Sequence, residues 1–479
     1  MIRRLTLQDV GPVRGLELDL APRMNVLTGD NGLGKSFVLD VSWWVLTASW
    51  AGEKAFPFRP PPEDDRADPE AKPEDGAREG VTIPEIVAEL APRVATSQRD
   101  RHSSVRGVWS WESQEWARSA PAADSPSLPR SLVVYARIDG SYAVWDSHYV
   151  EGGAGASAAI VLHPAEVWDG KEVIDPEVHG GKRTVIAGLI ADLVSWQQRA
   201  SSRELESLRR VLHALSSPDE PFVLGEPTRV HLRDRRDIPT LVTSYGVVPV
   251  THASAGVRRV LSLAYLLVWA FTEHLKAAKQ RRLKPTQDVV ILIDEPEMHL
   301  HPAWQRVFLP AVLRAVGMIA PNAGVQLLTS THAPMVLASL ESVFVEQHDD
   351  LFVFSRDGVA VRAREIPFDK EGDASSWLAS DVFGRVGGRS REAKLAVDAA
   401  MDFMAGREAQ SRARLGEFLE RMRSLPADEL SWLASVADES LPLVERIHEA
   451  LKHVLPGHDD LWAQWTLVHR PTGAKNATR

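Results

Sequence analysis

Gly29-Asp30-Asn31-Gly32-Leu33-Gly34-Lys35-Ser36 follows Met24-Asn25-Val26-Leu27-Thr28, a short strand-like run, and precedes the apolar helical stretch Phe37-Val38-Leu39 to Trp43-Trp44-Val45. Strand, glycine-rich loop and helix in that order make a phosphate-binding loop. The glycines let successive backbone N–H groups turn toward phosphate oxygens with no Cβ in the way, and the helix offers the positive end of its dipole. The spacing places Lys35 on the β- and γ-phosphates of a nucleotide and gives the Ser36 hydroxyl to Mg²⁺. The expected nucleotide-binding set is therefore Gly29, Asp30, Asn31, Gly32, Leu33, Gly34, Lys35, Ser36 and Phe37.

A second stretch supplies what such a loop lacks. Asp288-Val289-Val290-Ile291-Leu292-Ile293-Asp294-Glu295 is a continuous apolar run of the kind a buried parallel strand needs, and it ends in two acids. Acids at the carboxyl end of a strand sit where α/β sites lie. Asp294 is expected in the Mg²⁺ shell, and Glu295 is expected to orient and polarise the attacking water. Beyond them, His299 and His301 stand two apart, so on a helix they diverge; a loop or helix-capping role is expected for both. Val325 to His332 reads as another apolar strand, with Ala333-Pro334 opening a helix and His332 placed to contact the γ-phosphate.

Composition sets the frame. The chain has 479 residues, 44% hydrophobic, a formal net charge of −10 and no cysteine. The length favours several domains or one large domain with insertions. Lack of cysteine excludes disulfides, thiolate zinc sites and cysteine nucleophiles, and a soluble, cytoplasmic protein is expected. The acidic balance argues against a uniformly basic nucleic-acid coat, though not against a local basic track. Val260 to Thr272, the most apolar uncharged stretch, is too short to span a bilayer and reads as a buried helix, so no membrane segment is expected.

Ile2 to Val45 reads as strand, turn, strand, strand, loop, helix. Phe56 to about Gly80 piles up proline and acid and reads as a flexible excursion; Ala120 to Arg130 reads as a loop. Leu132 to Arg137 and Tyr142 to Trp145 suggest a hairpin turning at Asp139-Gly140. Helical patterns run from Thr184 to Ser216, strands are expected at Thr228–Leu232 and Leu241–Val250, and a long helix at Arg258–Lys279. From Ala374 onward the pattern is helical, including Glu392–Met404, Arg412–Met422 and Leu441–Val454, ahead of a frayed tail from Arg470.

The segment Asp288 to Gln305, taken with Ser330-Thr331-His332-Ala333-Pro334, resembles the ABC-type ATPase heads of a group that contains the overcoming-lysogenization-defect proteins, RecF and the coiled-coil ATPases of double-strand-break repair. Those heads carry a strand, Asp-Glu-Pro-Glu, a His-Pro turn and a switch histidine. The resemblance covers roughly Ile2 to Val45 and Leu224 to Val361. It implies an α/β fold: a P-loop ABC-type head with a mixed sheet flanked by helices, a helical insertion and a small C-terminal all-α domain. By the same resemblance Ser254, Ala255 and Gly256, leading into the Val260 helix, look like the signature that contacts ATP held by a second subunit; by themselves they are also an ordinary helix cap. The implied cofactors are ATP and Mg²⁺, the implied catalytic residues Lys35, Glu295 and His332, and the implied metal ligands Ser36 and Asp294. A homodimer or higher oligomer through the heads follows.

The chain departs from its relatives in having neither long heptad arms nor a clustered-acid nuclease after Phe368. What remains looks most like the ATPase subunits of bacterial anti-phage systems, such as Septu-type proteins that partner a separate HNH nuclease; a RecF-like or SMC-like repair ATPase that clamps DNA is the alternative. Transporter heads have a much shorter span between the two motifs. Gln197 and Gln198 are candidates for the family's Q-loop glutamine. Lys276, Lys279, Arg281, Arg282 and Lys284 form a basic run that would either contact phosphates or solvate a helix end. The expected organisation is residues 1–50 and 225–368 as the two parts of the head, 51–130 as an insertion with the acidic loop, 131–224 as strands and a helical subdomain, and 369–479 as the C-terminal helical domain.

Overall fold

The computed structural model describes residues 1–58, 83–92, 103–118, 130–149, 159–216, 221–358, 360–383, 389–423, 432–455 and 459–469. The acidic, proline-rich excursion, most of the 120–130 loop and the tail from Arg470 lie outside the described residues.

The chain begins with β1 (Ile2–Val10), β2 (Val13–Asp19), β3 (Met24–Gly29) and α1 (Lys35–Thr47), then β4 (Glu85–Leu90), β5 (Ser103–Ser110) and β6 (Glu115–Arg118). A hairpin of β7 (Ser131–Ala136) and β8 (Tyr142–Asp146) turns at Asp139-Gly140, followed by β9 (Ile160–Leu162), α2 (Pro164–Asp169), β10 (Lys171–Ile174) and β11 (Lys182–Ile186). Next come α3 (Leu189–Gln198), α4 (Arg203–Leu215), β12 (Val223–Arg229), β13 (Asp237–Thr243), β14 (Gly246–Pro249) and α5 (Ala255–Arg281). The series continues with β15 (Asp288–Asp294), α6 (Pro302–Gln305), α7 (Phe308–Ile319), β16 (Gly324–Ser330), α8 (Pro334–Leu340), β17 (Asp349–Asp357), β18 (Ala360–Ile366) and α9 (Ala374–Ala379).

Eight strands make the main sheet in the order β18-β17-β3-β16-β15-β7-β8-β9. β17, β3, β16, β15 and β7 run parallel, and the outer strands add antiparallel edges. β7 and β15 are buried at every residue, which is why both read as unbroken apolar runs instead of alternating ones. Their alternate side chains still serve different cores. Val289, Ile291 and Ile293 join Leu132 and Val134 on the face covered by α5 and α7, whereas Val290 and Leu292 join Val133 and Tyr135 on the face covered by α1. A second, antiparallel sheet, β2-β1-β4-β5-β6, lies over the other side of α1, so that Trp43, Trp44 and Val41 are buried between two sheets.

The fold corrects several expectations. Residues 51–130, expected as an insertion with an acidic loop, contribute β4, β5 and β6 among the described residues, and β4 pairs with β1 to complete the second sheet. β7 and β8 do not belong to a separate subdomain, since β7 pairs in parallel with β15 in the head. Thr184 to Ile186 finish a strand, not the start of a helix, and Leu241–Val250 is split into β13 and β14 by a turn at Ser244-Tyr245. The long helix is longer than expected at both ends, Ala255–Arg281; it is apolar enough to cross a membrane by length and composition, but 67% of its apolar window is buried in the head.

The chain divides into compact units at 383/384, not at 368/369. Residues 369–383 stay with the first unit because Trp377 is buried against the Phe368 ring and donates its Nε1–H to Glu341 Oε1 at 2.7 Å, while Phe368 stacks on Phe344 at 4.0 Å. The second unit is all-helical among its described residues: α10 (Arg391–Met404), α11 (Glu408–Met422), α12 (Leu433–Ala437), α13 (Leu443–Val454) and α14 (Asp460–Val468) bury Phe418, Ile447 and Trp465 in a core of their own. Their apolar residues recur at helical spacing, so these boundaries match the sequence reading closely.

Candidate functional site

Strand order assembles the site. β16 lies between β3 and β15, so the phosphate loop after β3, the acids ending β15 and the Ser330-Thr331-His332 segment ending β16 all emerge at the carboxyl edge of three adjacent parallel strands.

The loop owes its shape to glycine. Gly34 caps α1 at φ 88°, and a Cβ there would come within 2.9 Å of Pro12; Gly29, at φ 120°, has the Phe354 carbonyl oxygen where a Cβ would go. Among the described residues the amides of Gly32 to Phe37 make no intramolecular hydrogen bond, which leaves a row of donors at a helix N-terminus as an anion requires. The buried Lys35 ammonium donates to the Gly29 and Asp30 carbonyls at 2.8 and 2.7 Å, curling back over the loop it would share with phosphate. Burial lowers its pKa, opposed by Glu295 and other nearby acids. Phe37 contributes backbone alone, because its ring packs against Gly11 in the β1–β2 turn.

Ser36 and Asp294, distant in sequence, meet here: the Ser36 hydroxyl donates to Asp294 Oδ1 at 2.8 Å. The Ser330 hydroxyl donates to the same oxygen, and the Glu295 amide donates back to the Ser330 carbonyl and hydroxyl at 3.2 and 3.1 Å. A hydroxyl and a carboxylate in contact are the oxygen pair a small hard cation uses, so these residues fit Mg²⁺. Glu295 itself stands at φ 46°, a left-handed conformation uncommon for a residue with a side chain. Its carboxyl lies above its ordinary pKa because it is buried, with His332 opposing and Glu297 and Asp294 reinforcing the rise. His332 Nδ1 lies 3.3 Å from Glu295 Oε1 and 3.5 Å from Glu297 Oε1.

Around α5 the expectations divide. Ser254 is exposed and caps the helix, accepting from the Val257 amide at 3.3 Å; Ala255 is exposed, and Gly256 is buried, with the His299 carbonyl 2.6 Å from where a Cβ would stand. The signature candidates thus form an exposed helix N-terminus against the turn after β15. His301 caps α6 through Nδ1, and His299 sits in that turn at φ 64°, so neither is arranged as a metal pair. Gln197 donates to the Gly225 carbonyl at 2.9 Å and serves the junction of α3 with β12.

Three residues went unassigned in the sequence. Ser330 and Glu297 lie inside quoted motifs, but only strand register puts Ser330 opposite Asp294. Arg259, one turn into α5, donates at 3.3 Å to each of the Arg137, Ile138 and Asp294 carbonyls, tying α5 to the ends of β7 and β15. No spacing signal in the sequence predicts that.

A second cluster, Asp146, His148 and His274, has ligand atoms close enough together to hold a metal. Its hydrogen bonds give another account. His274 Nε2 accepts from the Thr286 amide at 2.9 Å, so its proton is on Nδ1, which donates to Asp146 Oδ2 at 3.0 Å. A metal on Nδ1 would put a proton on Nε2, facing that amide. The cluster is a buried brace between β8, α5 and the entry to β15.

Residues 207–337 match the family model described as the AAA ATPase domain. Solved structures similar to the chain include the SMC head domain from Thermotoga maritima (12% identity, 76% of this chain and 99% of that chain covered, TM-score 0.35). Others are an SMC head bound to the C-winged helix domain of ScpA (14%, 77% and 98%, 0.38) and the recombination mediator protein RecF of the RecFOR pathway (10%, 77% and 98%, 0.36). With scores this low the likenesses are loose. The fold itself is the mixed α/β head expected, a large mixed sheet flanked by helices with a helical C-terminal region.

Proposed function

We propose that the protein binds and hydrolyses ATP as an ABC-type head that dimerises around the nucleotide. The observation that carries this reading is the single carboxyl edge shared by Lys35 and Ser36, Asp294 and Glu295, and His332. The loop amides and Lys35 would hold the β- and γ-phosphates, and Ser36 and Asp294 would hold Mg²⁺, which would neutralise charge on the phosphates. Glu295, kept basic by burial, would take a proton from the attacking water. The exposed Ser254 and Ala255 would meet the nucleotide of a second copy, whose own loop would meet this one.

The wider role follows the motif resemblance: a regulatory or sensor subunit of an anti-phage complex with a separate nuclease of HNH type. A head that clamps DNA in repair, RecF-like or SMC-like, fits the same site equally well. Turnover and nucleotide binding by wild type, Lys35→Ala and Glu295→Gln test the core reading. Lys35→Ala is expected to lose nucleotide affinity, and Glu295→Gln to bind ATP and elute as an ATP-dependent dimer; equal turnover in wild type and Glu295→Gln would sink it. Co-purification of a nuclease, against salt-dependent retention on DNA lost when Lys279, Arg281 and Arg282 are reversed in charge, separates the two roles.

A further inference from the structure

We infer that Glu297 is the positioning residue of His332, holding the end of β16 in place and fixing which ring nitrogen carries the proton. The inference rests on the ATPase reading for its catalytic consequence, but not for its geometry.

Glu297 is two residues beyond Glu295 in the turn after β15 and is nearly buried, 7% exposed. Its Oε1 accepts from the Thr331 hydroxyl and from the His332 amide, both at 2.9 Å. That pair of bonds clamps the backbone at the point where β16 ends. The same oxygen lies 3.5 Å from His332 Nδ1, while Oε2 is buried and has no hydrogen-bond partner. Such a carboxylate is costly to bury unless a donor completes it.

His332 is unfinished in the matching place. Its Nδ1 is buried and lacks an aligned hydrogen bond, although Glu295 Oε1 is 3.3 Å away. The side chain as a whole is 40% exposed, so the accessible edge of the ring is the one bearing Nε2. Two carboxylates face Nδ1. A lone pair there would point at both, so the proton belongs on Nδ1, and Nε2 is left at the exposed edge for a phosphate oxygen. The labour divides between the two acids: both face Nδ1, but it is Glu297 whose oxygen also holds the Thr331 hydroxyl and the His332 amide.

In Glu297→Gln an amide can donate toward Nδ1 and reverse the tautomer. Turnover is expected to fall about tenfold, with the KM for ATP and the affinity for a fluorescent ATP analogue within about twofold of wild type. In a His332→Ala background the same change is expected to have no further effect. A loss of equal size in both backgrounds would overturn the inference. Nitrogen-15 spectra of histidine-labelled, nucleotide-free protein, with His332→Gln used to identify the His332 signals, give a readout independent of turnover. Wild type is expected to carry its proton on Nδ1, and a ring protonated on Nε2 alone would refute the assignment even if Glu297→Gln fails to fold. Should wild type hydrolyse nothing, the ATPase reading fails and the ring spectrum still decides Glu297.

Discussion

Two clusters in the head each set histidine against acid and behave oppositely. In Asp146, His148 and His274 the rings and the carboxylate are buried, and the ring nitrogens are all partnered: His148 reaches Asp146 at 3.2 Å and the Lys284 carbonyl at 3.0 Å, and His274 is held by Asp146 and the Thr286 amide. In Glu295, Glu297 and His332 the ring is partly open to solvent, Nδ1 and one Glu297 oxygen lack partners, and a backbone strain sits on Glu295. A closed network contributes rigidity; an open one has capacity left for a ligand. Proximity of histidine to acid is therefore a poor guide to function by itself, and the state of the hydrogen bonds separates the two.

The contrast breaks most sharply on Glu295→Gln. Turnover is expected to drop about a thousandfold, roughly 4 kcal/mol of transition-state stabilisation, with thermal stability unimpaired. Because burial raises the Glu295 pKa, the wild-type rate should increase with pH through a value above that of an ordinary carboxyl, and initial rates across pH 4 to 9 would reveal that limb. The brace should respond the other way. Asp146→Ala leaves buried His274 Nδ1 without an acceptor and His148 with the Lys284 carbonyl alone, and is expected to cost about 3 kcal/mol in urea unfolding, while the folded fraction still binds nucleotide. A chelator that lowered the melting temperature of wild type would turn the brace back into a metal site.

The smallest effect belongs to Asp40, one turn along α1 from Ser36, which accepts from the Tyr135 hydroxyl at 3.1 Å and whose pKa is pushed up to about 6 by burial. A carboxyl whose folded pKa exceeds its unfolded one binds its proton more tightly when folded. Stability should thus fall as pH rises from about 4 to about 6 and stay lower above, since the ionised form is the disfavoured one. Asp40→Asn keeps an acceptor for Tyr135 and should remove that slope, gaining about 2 kcal/mol at pH 7 and nearly nothing at pH 4. Melting curves at the two pH values measure it; equal shifts at both would reassign the strain to packing.

Much of the candidate site was legible because its parts are local. A phosphate loop is a contiguous chemical requirement, and Gly29 to Ser36 states it in eight residues; the apolar run ending at Asp294 states the second half. The helical unit was legible for the same reason, since the spacing of Leu395, Phe418 and Ile447 with their neighbours is a local pattern. Illegible were the long-range pairings. β1 with β4 crosses a segment of proline and acid, and β7 pairs Ser131 with Asp288 far along the chain, so strands that belong to one head read as an insertion and a subdomain. Hydrophobic runs announce that a strand is buried, not what it is buried beside.

By itself the sequence determined the glycine-rich loop between a strand and a helix, the acids that close a strand, the histidine that follows another, and the helical pattern from Ala374 onward. Tertiary structure decided that β16 lies between β3 and β15, that Ser330 faces Asp294, that Glu297 reaches the end of β16, and that Arg259 spans three carbonyls. The reason is physical. Residue types and short spacings fix which groups can bind phosphate or move a proton, whereas the neighbours that set their charge and orientation are chosen by sheet order and register, to which no single segment of the chain has access.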